Sequence, residues 1–187
     1  GDHQKLRENI EKALKDASLI ACLLIPPLFA LGEDNGILLF SSEHGGEIIR
    51  NCCFMLFPMS LGMISNSILN SLGYEKQTCA YFFIGAAATL LCVWFLPQIV
   101  GIYALMIGMT ASQIITTLLD LRLIAKKSKE KVRFCKHTLL SAISIPPAIL
   151  FGCLLRNVLT AILPSLAAII LCGVILLIAQ GLLLAVI

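Results

Sequence analysis

Six apolar runs recur along the chain, at about residues 18–31, 48–72, 78–96, 101–124, 137–155 and 164–187, and most charged residues gather between them. A helix needs roughly 20 apolar residues to cross about 30 Å of hydrocarbon, and most of these runs approach or exceed that length. In lipid the backbone must satisfy its own polar groups, so runs of this length specify helices. Composition agrees: 58% of the 187 residues are hydrophobic and 13% charged, against roughly 25% charged in a soluble domain. A soluble chain this short has too little interior for so much apolar side chain. The fold class expected is therefore all-α, a polytopic membrane helical bundle in the cell membrane.

The first run is short, but the segment before it completes it. Leu6, Ile10, Ala13, Leu14 and Ala17 fall on one helical face, with Lys5, Arg7, Glu8, Glu11, Lys12 and Lys15 around the rest, which predicts an amphipathic lead-in rising from the headgroup region. Pro26 and Pro27 predict a kink, because proline lacks an amide donor and clashes with the preceding turn. GEDNGILLFSSEHGG, residues 32–46, reads as a non-cytoplasmic connection whose short apolar patch dips back to the interface. The opening GDHQKLRENIEKALKD shows no cleavable signal peptide, and the chain is expected to be a piece of a longer protein.

Charge sets the expected topology. With a cytoplasmic N-terminus and six alternating spans, only Arg50 and Arg156 of the fourteen Lys and Arg residues fall outside, and the basic stretch 126–136 falls inside. That is the positive-inside pattern for short loops, and it places both ends of this chain in the cytoplasm. A weak echo between CLLIPPLFALG at 22–32 and ISIPPAILFG at 143–152 fits either a transporter-type repeat or two unrelated proline pairs.

Polar residues inside the apolar runs are the candidates for function. Asn66 and Asn70 share a face near the end of the second run, and an amide in hydrocarbon must find partners. Two readings stand: glue between helices, or the lining of a polar cleft. Gln113, Thr117 and Asp120 share a stripe with Thr116 in the fourth run. Asp120 reads either as a hydrated boundary residue or as a proton or cation carrier. Arg156 reads either as an interfacial anchor or as a guanidinium fork for an anionic phosphate. Gln180 reads as a polar contact to a neighbouring helix, and Gly85-Ala-Ala-Ala as a packing face.

Several classes are disfavoured. The eight cysteines lie in or beside apolar runs without a CxxC pair, and only His3, His44 and His137 are available as imidazoles, so no metal site and no cofactor is expected. No phosphate-binding glycine loop and no nucleophile with a base presents itself, so the chain is not expected to be an enzyme. The basic residues flank apolar spans without interleaved aromatics, which argues against a nucleic-acid partner.

FPMSLGMISNSILNSLGYEKQTCAYFFIGAAATLLCVWFLPQIVGIYALMIGMTASQ, residues 57–113, resembles the later membrane half of the polysaccharide-transporter and stage V sporulation protein B family. Its members carry an apolar helix ending in leucine-asparagine (or glutamine)-any-leucine-glycine, then a short charged loop, a helix ending near a proline, and a glycine-led helix. The matching pieces are Leu69-Asn70-Ser71-Leu72-Gly73, Glu75-Lys76-Gln77, Leu96-Pro97 and Gly101-Ile102-Tyr103-Ala104.

The resemblance implies the last six helices of a fourteen-helix flippase. Residues 1–125 would be the lead-in and four spans of a C-terminal lobe, 126–136 a basic cytoplasmic loop, and 137–187 two appended helices. It implies partnership with membrane lipid, a lipid-linked sugar precursor and a missing N-terminal lobe of the same protein. The implied activity is flipping of a lipid-linked oligosaccharide or cell-wall or polysaccharide precursor. Multidrug or organic-cation export within the wider superfamily, and a non-transporting scaffold for envelope or spore assembly, are the alternatives. A deeply buried carboxylate with pH- or sodium-dependent binding would favour the export reading, and none is obvious in this part of the sequence. The resemblance carries over no site residue, so Asn66, Asn70, Gln113, Thr117, Asp120 and Arg156 stand as substrate-cleft candidates on physical grounds alone.

Overall fold

The structure, a computed structural model, describes residues 2–41, 43–127, 144–162 and 165–186, and every regular element among them is helical. The helices are α1 (Asp2–Ala30), α2 (Gly32–Phe40), α3 (Glu43–Cys52), a 3-10 turn (Cys53–Met55), α4 (Leu56–Ser71), α5 (Glu75–Phe95), α6 (Pro97–Val100), α7 (Tyr103–Lys127), α8 (Ile145–Ile162) and α9 (Ser165–Val186). Four stretches are long and apolar enough to cross a bilayer: Glu8–Ala30, His44–Ser71, Glu75–Phe95 and Tyr103–Lys127. The shortest, 21 residues, extends about 31 Å at 1.5 Å per residue. The last two expected spans overlap α8 and α9, in which the described apolar stretches, Ile145–Val158 and Ile169–Leu184, are shorter than a crossing needs. This is an all-α fold with several long apolar helices, the architecture of a polytopic membrane bundle.

The chain packs as two units that are not contiguous in sequence: residues 1–17 with 57–134, and residues 18–56 with 135–187. Sequence order, which divides the chain at 125 and 137, describes spans and a loop and is separate from this division by packing.

In the first unit, the amphipathic lead-in does what its pattern predicts. Ile10 and Leu14 of α1 pack with Leu61 and Leu69 of α4 and with Leu123 and Ile124 of α7. The helix α5 lies along α7 at close range. A Cβ on Gly85 would come within 2.6 Å of both Ser112 Oγ and Thr116 Cγ2, and one on Gly108 within 3.0 Å of Cys92 Cβ. The pairs run in opposite sequence order, so α5 and α7 are antiparallel, and Thr89 Oγ1 bonds across to the Gly108 carbonyl at 3.2 Å. Away from α7, α5 is bare: Phe82, Phe83, Leu90 and Trp94 are exposed, and only 11% of its apolar window is buried. Faces of this kind need lipid as their solvent.

The helix α4 stops where glycine predicts. Gly73 has φ +80°; the Tyr74 amide donates to the Leu69 carbonyl and the Gly73 amide to that of Asn70. This pair of bonds is a Schellman ending, and Tyr74 and Leu69 meet in the same apolar cluster. The turn 72–74 then delivers the chain into α5.

The helix α1 runs through Pro26 and Pro27 to Ala30, and both prolines are buried. Three findings differ from the sequence expectations. The connection 32–46 is largely helical, because α2 and α3 close into a hairpin at their glycines. A Cβ on Gly36 would lie 2.1 Å from the Gly46 amide nitrogen, and one on Gly46 would lie 2.5 Å from Glu33 Cα. Lys126 and Lys127, assigned to the basic loop, form the last turn of α7, where cations complement the carbonyl end of the helix. The rest of that loop and the start of the fifth run lie outside the described residues. Finally, α8 continues beyond Leu155 to Ile162, so Arg156 lies within the helix and does not mark its end.

In the second unit, Ala30 and Leu31 pack with Cys172 and Leu176. Gln180 makes the interhelical contact expected of it, donating to the Cys22 carbonyl of α1 at 3.4 Å and also to Ser144 Oγ, just before α8, at 3.1 Å.

Candidate functional site

The Schellman ending of α4 and the first turn of α5 bring three polar side chains into one chain of hydrogen bonds. Thr78 Oγ1 lies 2.9 Å from Asn70 Oδ1, and Asn70 Nδ2 donates to Asn66 Oδ1 at 2.7 Å. The Thr78 hydroxyl is also 2.9 Å from the Glu75 carbonyl, so its single proton is divided between two acceptors. The spacing of Asn66 and Asn70 makes the amide pair, since residues four apart in a helix are neighbours. Thr78 is buried, Asn66 half-buried and Asn70 exposed.

These residues line an open groove of about 440 Å³ with Glu75, Cys79 and Phe82. The volume lies in the range of small-molecule sites, and a few convergent polar groups beside an apolar wall are their usual lining. The carboxylate of exposed Glu75 and the amides of Asn66 and Asn70 offer both acceptors and donors to a hydroxyl-bearing ligand. Phe82 supplies the apolar wall and is 63% exposed, so the groove adjoins surface suited to a lipid chain.

The fourth-run candidates point elsewhere in the same unit. Thr117 Oγ1 donates to the Pro58 carbonyl at 2.9 Å, and a Cβ on Gly62 would lie 2.6 Å from Thr117 Oγ1 and 3.7 Å from Gln113 Oε1. Both side chains thus face α4 and are absent from the groove lining. Asp120 departs from the hydrated reading: it is 3% exposed, and its Oδ1 has no hydrogen-bond partner.

Arg156 belongs to an ion cluster in the second unit. Its Nε and Nη2 donate to Asp34 at 2.6 and 2.9 Å, and its Nη1 donates to Glu33 at 3.0 Å. Glu33 also accepts from Arg50 at 3.1 Å, and the Arg50 guanidinium stands 4.4 Å from the centroid of the Phe29 ring. A two-pronged arginine–carboxylate pair is among the stronger polar contacts. Its geometry ties α8 to the base of the α2–α3 hairpin.

Sequence reasoning missed Thr78, Glu75, Cys79 and Phe82 as groove residues. Their signal was positional: after a helix stopped by Gly73, the first turns of the next helix must stand beside the last turns of the one before. Ser65, fully buried with an unpartnered Oγ, was missed because a serine in an apolar helix carries no periodic signal.

Comparison with protein-family models, with curated proteins and with solved structures finds no match to this chain.

Proposed function

We propose that this chain is part of a multispanning transporter that moves a lipid-linked oligosaccharide or polysaccharide precursor across the cell membrane. The observation that carries the reading is the Asn66–Asn70–Thr78 groove with its Phe82 wall. A polar headgroup would engage the amides while its lipid tail stays along the exposed apolar face of α5. Transport then requires that the groove open alternately to the two sides, with a companion lobe supplying the opposing wall. The resemblance of residues 57–113 to the polysaccharide-transporter and stage V sporulation protein B family supports that assignment. In this proposal both ends of the chain lie in the cytoplasm, and the turn 72–74 opens to that side. The role is binding and passage, not catalysis.

The scaffold alternative requires the asparagines to be packed between helices. Asn70 is exposed and directs its amide nitrogen at Asn66, which favours the groove. The buried Asp120 gives specific support to a second reading, cation-coupled export, since a deeply buried carboxylate is the feature that activity calls for.

Cys79 is a built-in reporter. It lines the groove and is exposed, whereas Cys22, Cys53 and Cys172 are buried and Cys52, Cys92 and Cys153 half-buried. In the full-length protein in vesicles, a lipid-linked sugar at about ten times its dissociation constant should slow maleimide alkylation of Cys79 roughly tenfold, because about a tenth of the sites stay free. Peptide mass spectrometry gives the rate at that cysteine. The same polyprenyl lipid without its headgroup should leave the rate unchanged. Equal rates with and without the sugar headgroup would remove the groove from substrate binding.

A further inference from the structure

The groove between the end of α4 and the start of α5 has two chemically unequal ends. Its lining is Asn66, Asn70, Glu75, Thr78, Cys79 and Phe82, so Glu75 is its one charged side chain among the described residues. The hydrogen bonds inside it run in one direction: the Thr78 hydroxyl lies against Asn70 Oδ1, and Asn70 Nδ2 donates to Asn66 Oδ1. Both amide oxygens are thus engaged. At the α4 end the groove still presents Asn66 Nδ2, whose N–H donors have no partner among the described residues. At the α5 end it presents the Glu75 carboxylate, which only accepts and forms no ion pair or side-chain hydrogen bond among the described residues.

Glu75, Thr78, Cys79 and Phe82 are spaced at three, four and seven along α5, so the carboxylate and the ring share one helix face. The Phe82 ring is largely exposed, and an open aromatic face attracts a cation. The nearby cations turn elsewhere. Lys127 Nζ stands 5.0 Å from the centroid of the Tyr74 ring, and neither it nor Lys76 lines the groove. A phosphate in the groove would meet a like charge and no lysine or arginine, whereas an ammonium would meet a carboxylate and an aromatic face.

We infer that the groove selects a headgroup bearing a free ammonium, an amino sugar whose ammonium pairs with Glu75 beside Phe82 and whose hydroxyl oxygens accept from Asn66 Nδ2. That a sugar headgroup enters the groove rests on the transport reading above; the sign of its charge is what Glu75 adds. Ethanolamine phospholipids carry the same ammonium, but their phosphate follows it closely and would share the groove with Glu75, so a sugar is the better fit. An exposed ion pair and an exposed cation–ring contact are each modest, and together they correspond to a preference of roughly tenfold.

Glucosamine, N-acetylglucosamine and phosphoethanolamine, used as free ligands, test the charge selection. Ligand-observed NMR titration gives their dissociation constants for the full-length protein in phosphatidylcholine nanodiscs, at a pH where the amines are protonated. Glucosamine should bind roughly tenfold more tightly than N-acetylglucosamine, which lacks the charge, and more tightly than phosphoethanolamine. Glu75→Gln should abolish the preference for the ammonium; Glu75 is exposed, so this substitution disturbs no packing. Equal binding of the two sugars would overturn the inference, as would a preference retained in Glu75→Gln or tighter binding of phosphoethanolamine. Those results leave leaflet exchange of a lipid-linked sugar untouched. Absent exchange with the ammonium preference intact would sustain the charge selection and sink the transport reading alone.

Discussion

Asn70→Leu in the full-length protein should slow leaflet exchange of a lipid-linked sugar by about ten- to a hundredfold while leaving the helices folded. The side chain is exposed and its partners are Asn66 and Thr78, so its removal opens no cavity. What it removes is the central member of the amide chain, leaving Asn66 Oδ1 and the Thr78 hydroxyl without their shared partner. A hydrogen bond to a charged group is worth roughly 1.5–3 kcal/mol, and each 1.4 kcal/mol is a factor of ten. Asn70→Gln, which keeps the amide one methylene further out, should recover part of the rate. A loss of rate accompanied by loss of helicity would instead mark Asn70 as a packing residue.

The largest structural effect is expected at Gly36. Its missing Cβ faces the Gly46 backbone at 2.1 Å and the Gly45 carbonyl carbon at 2.8 Å, and backbone cannot rotate aside as a flexible side chain can. Overpacking usually costs about 1–3 kcal/mol; against backbone, Gly36→Val should reach the upper end of that range or exceed it. Separation of α2 from α3 would also strain the Glu33–Arg50 bridge and expose Cys53, now 3% exposed and bonded to the Arg50 carbonyl at 3.0 Å. The readout is alkylation: Cys53 should react quickly in Gly36→Val and slowly in the wild type. Similar rates would mean that the hairpin tolerates the added bulk.

Much of this architecture is legible in the residues alone, for reasons that are local. Ile10, Leu14 and Ala17 repeat at helical spacing, and all three are buried. Gly73 stops α4 because glycine accepts a left-handed turn at little cost, and Gly85 permits the close approach of α7. The Asn66–Asn70 pair follows from their spacing. What stays hidden depends on partners distant in sequence. Arg156 meets Asp34 across 122 positions, so its role as a paired arginine has no local sign. Asp120 lies two residues from Arg122 and looks hydrated along its own helix; its burial comes from other helices. GEDNGILLFSSEHGG reads as a connection because polar residues and glycines interrupt the apolar runs there, whereas its glycines let two short helices touch at their backbones.

The proposal that this chain helps carry a lipid-linked sugar across a membrane rests on the groove built by Asn66, Asn70 and Thr78. Leaflet exchange of a fluorescent lipid-linked oligosaccharide in vesicles reconstituted with the full-length protein measures it directly. The account predicts faster exchange than in protein-free vesicles and a marked loss of that acceleration in Asn70→Leu. No acceleration by a verified folded protein, under either a proton or a sodium gradient, would contradict it.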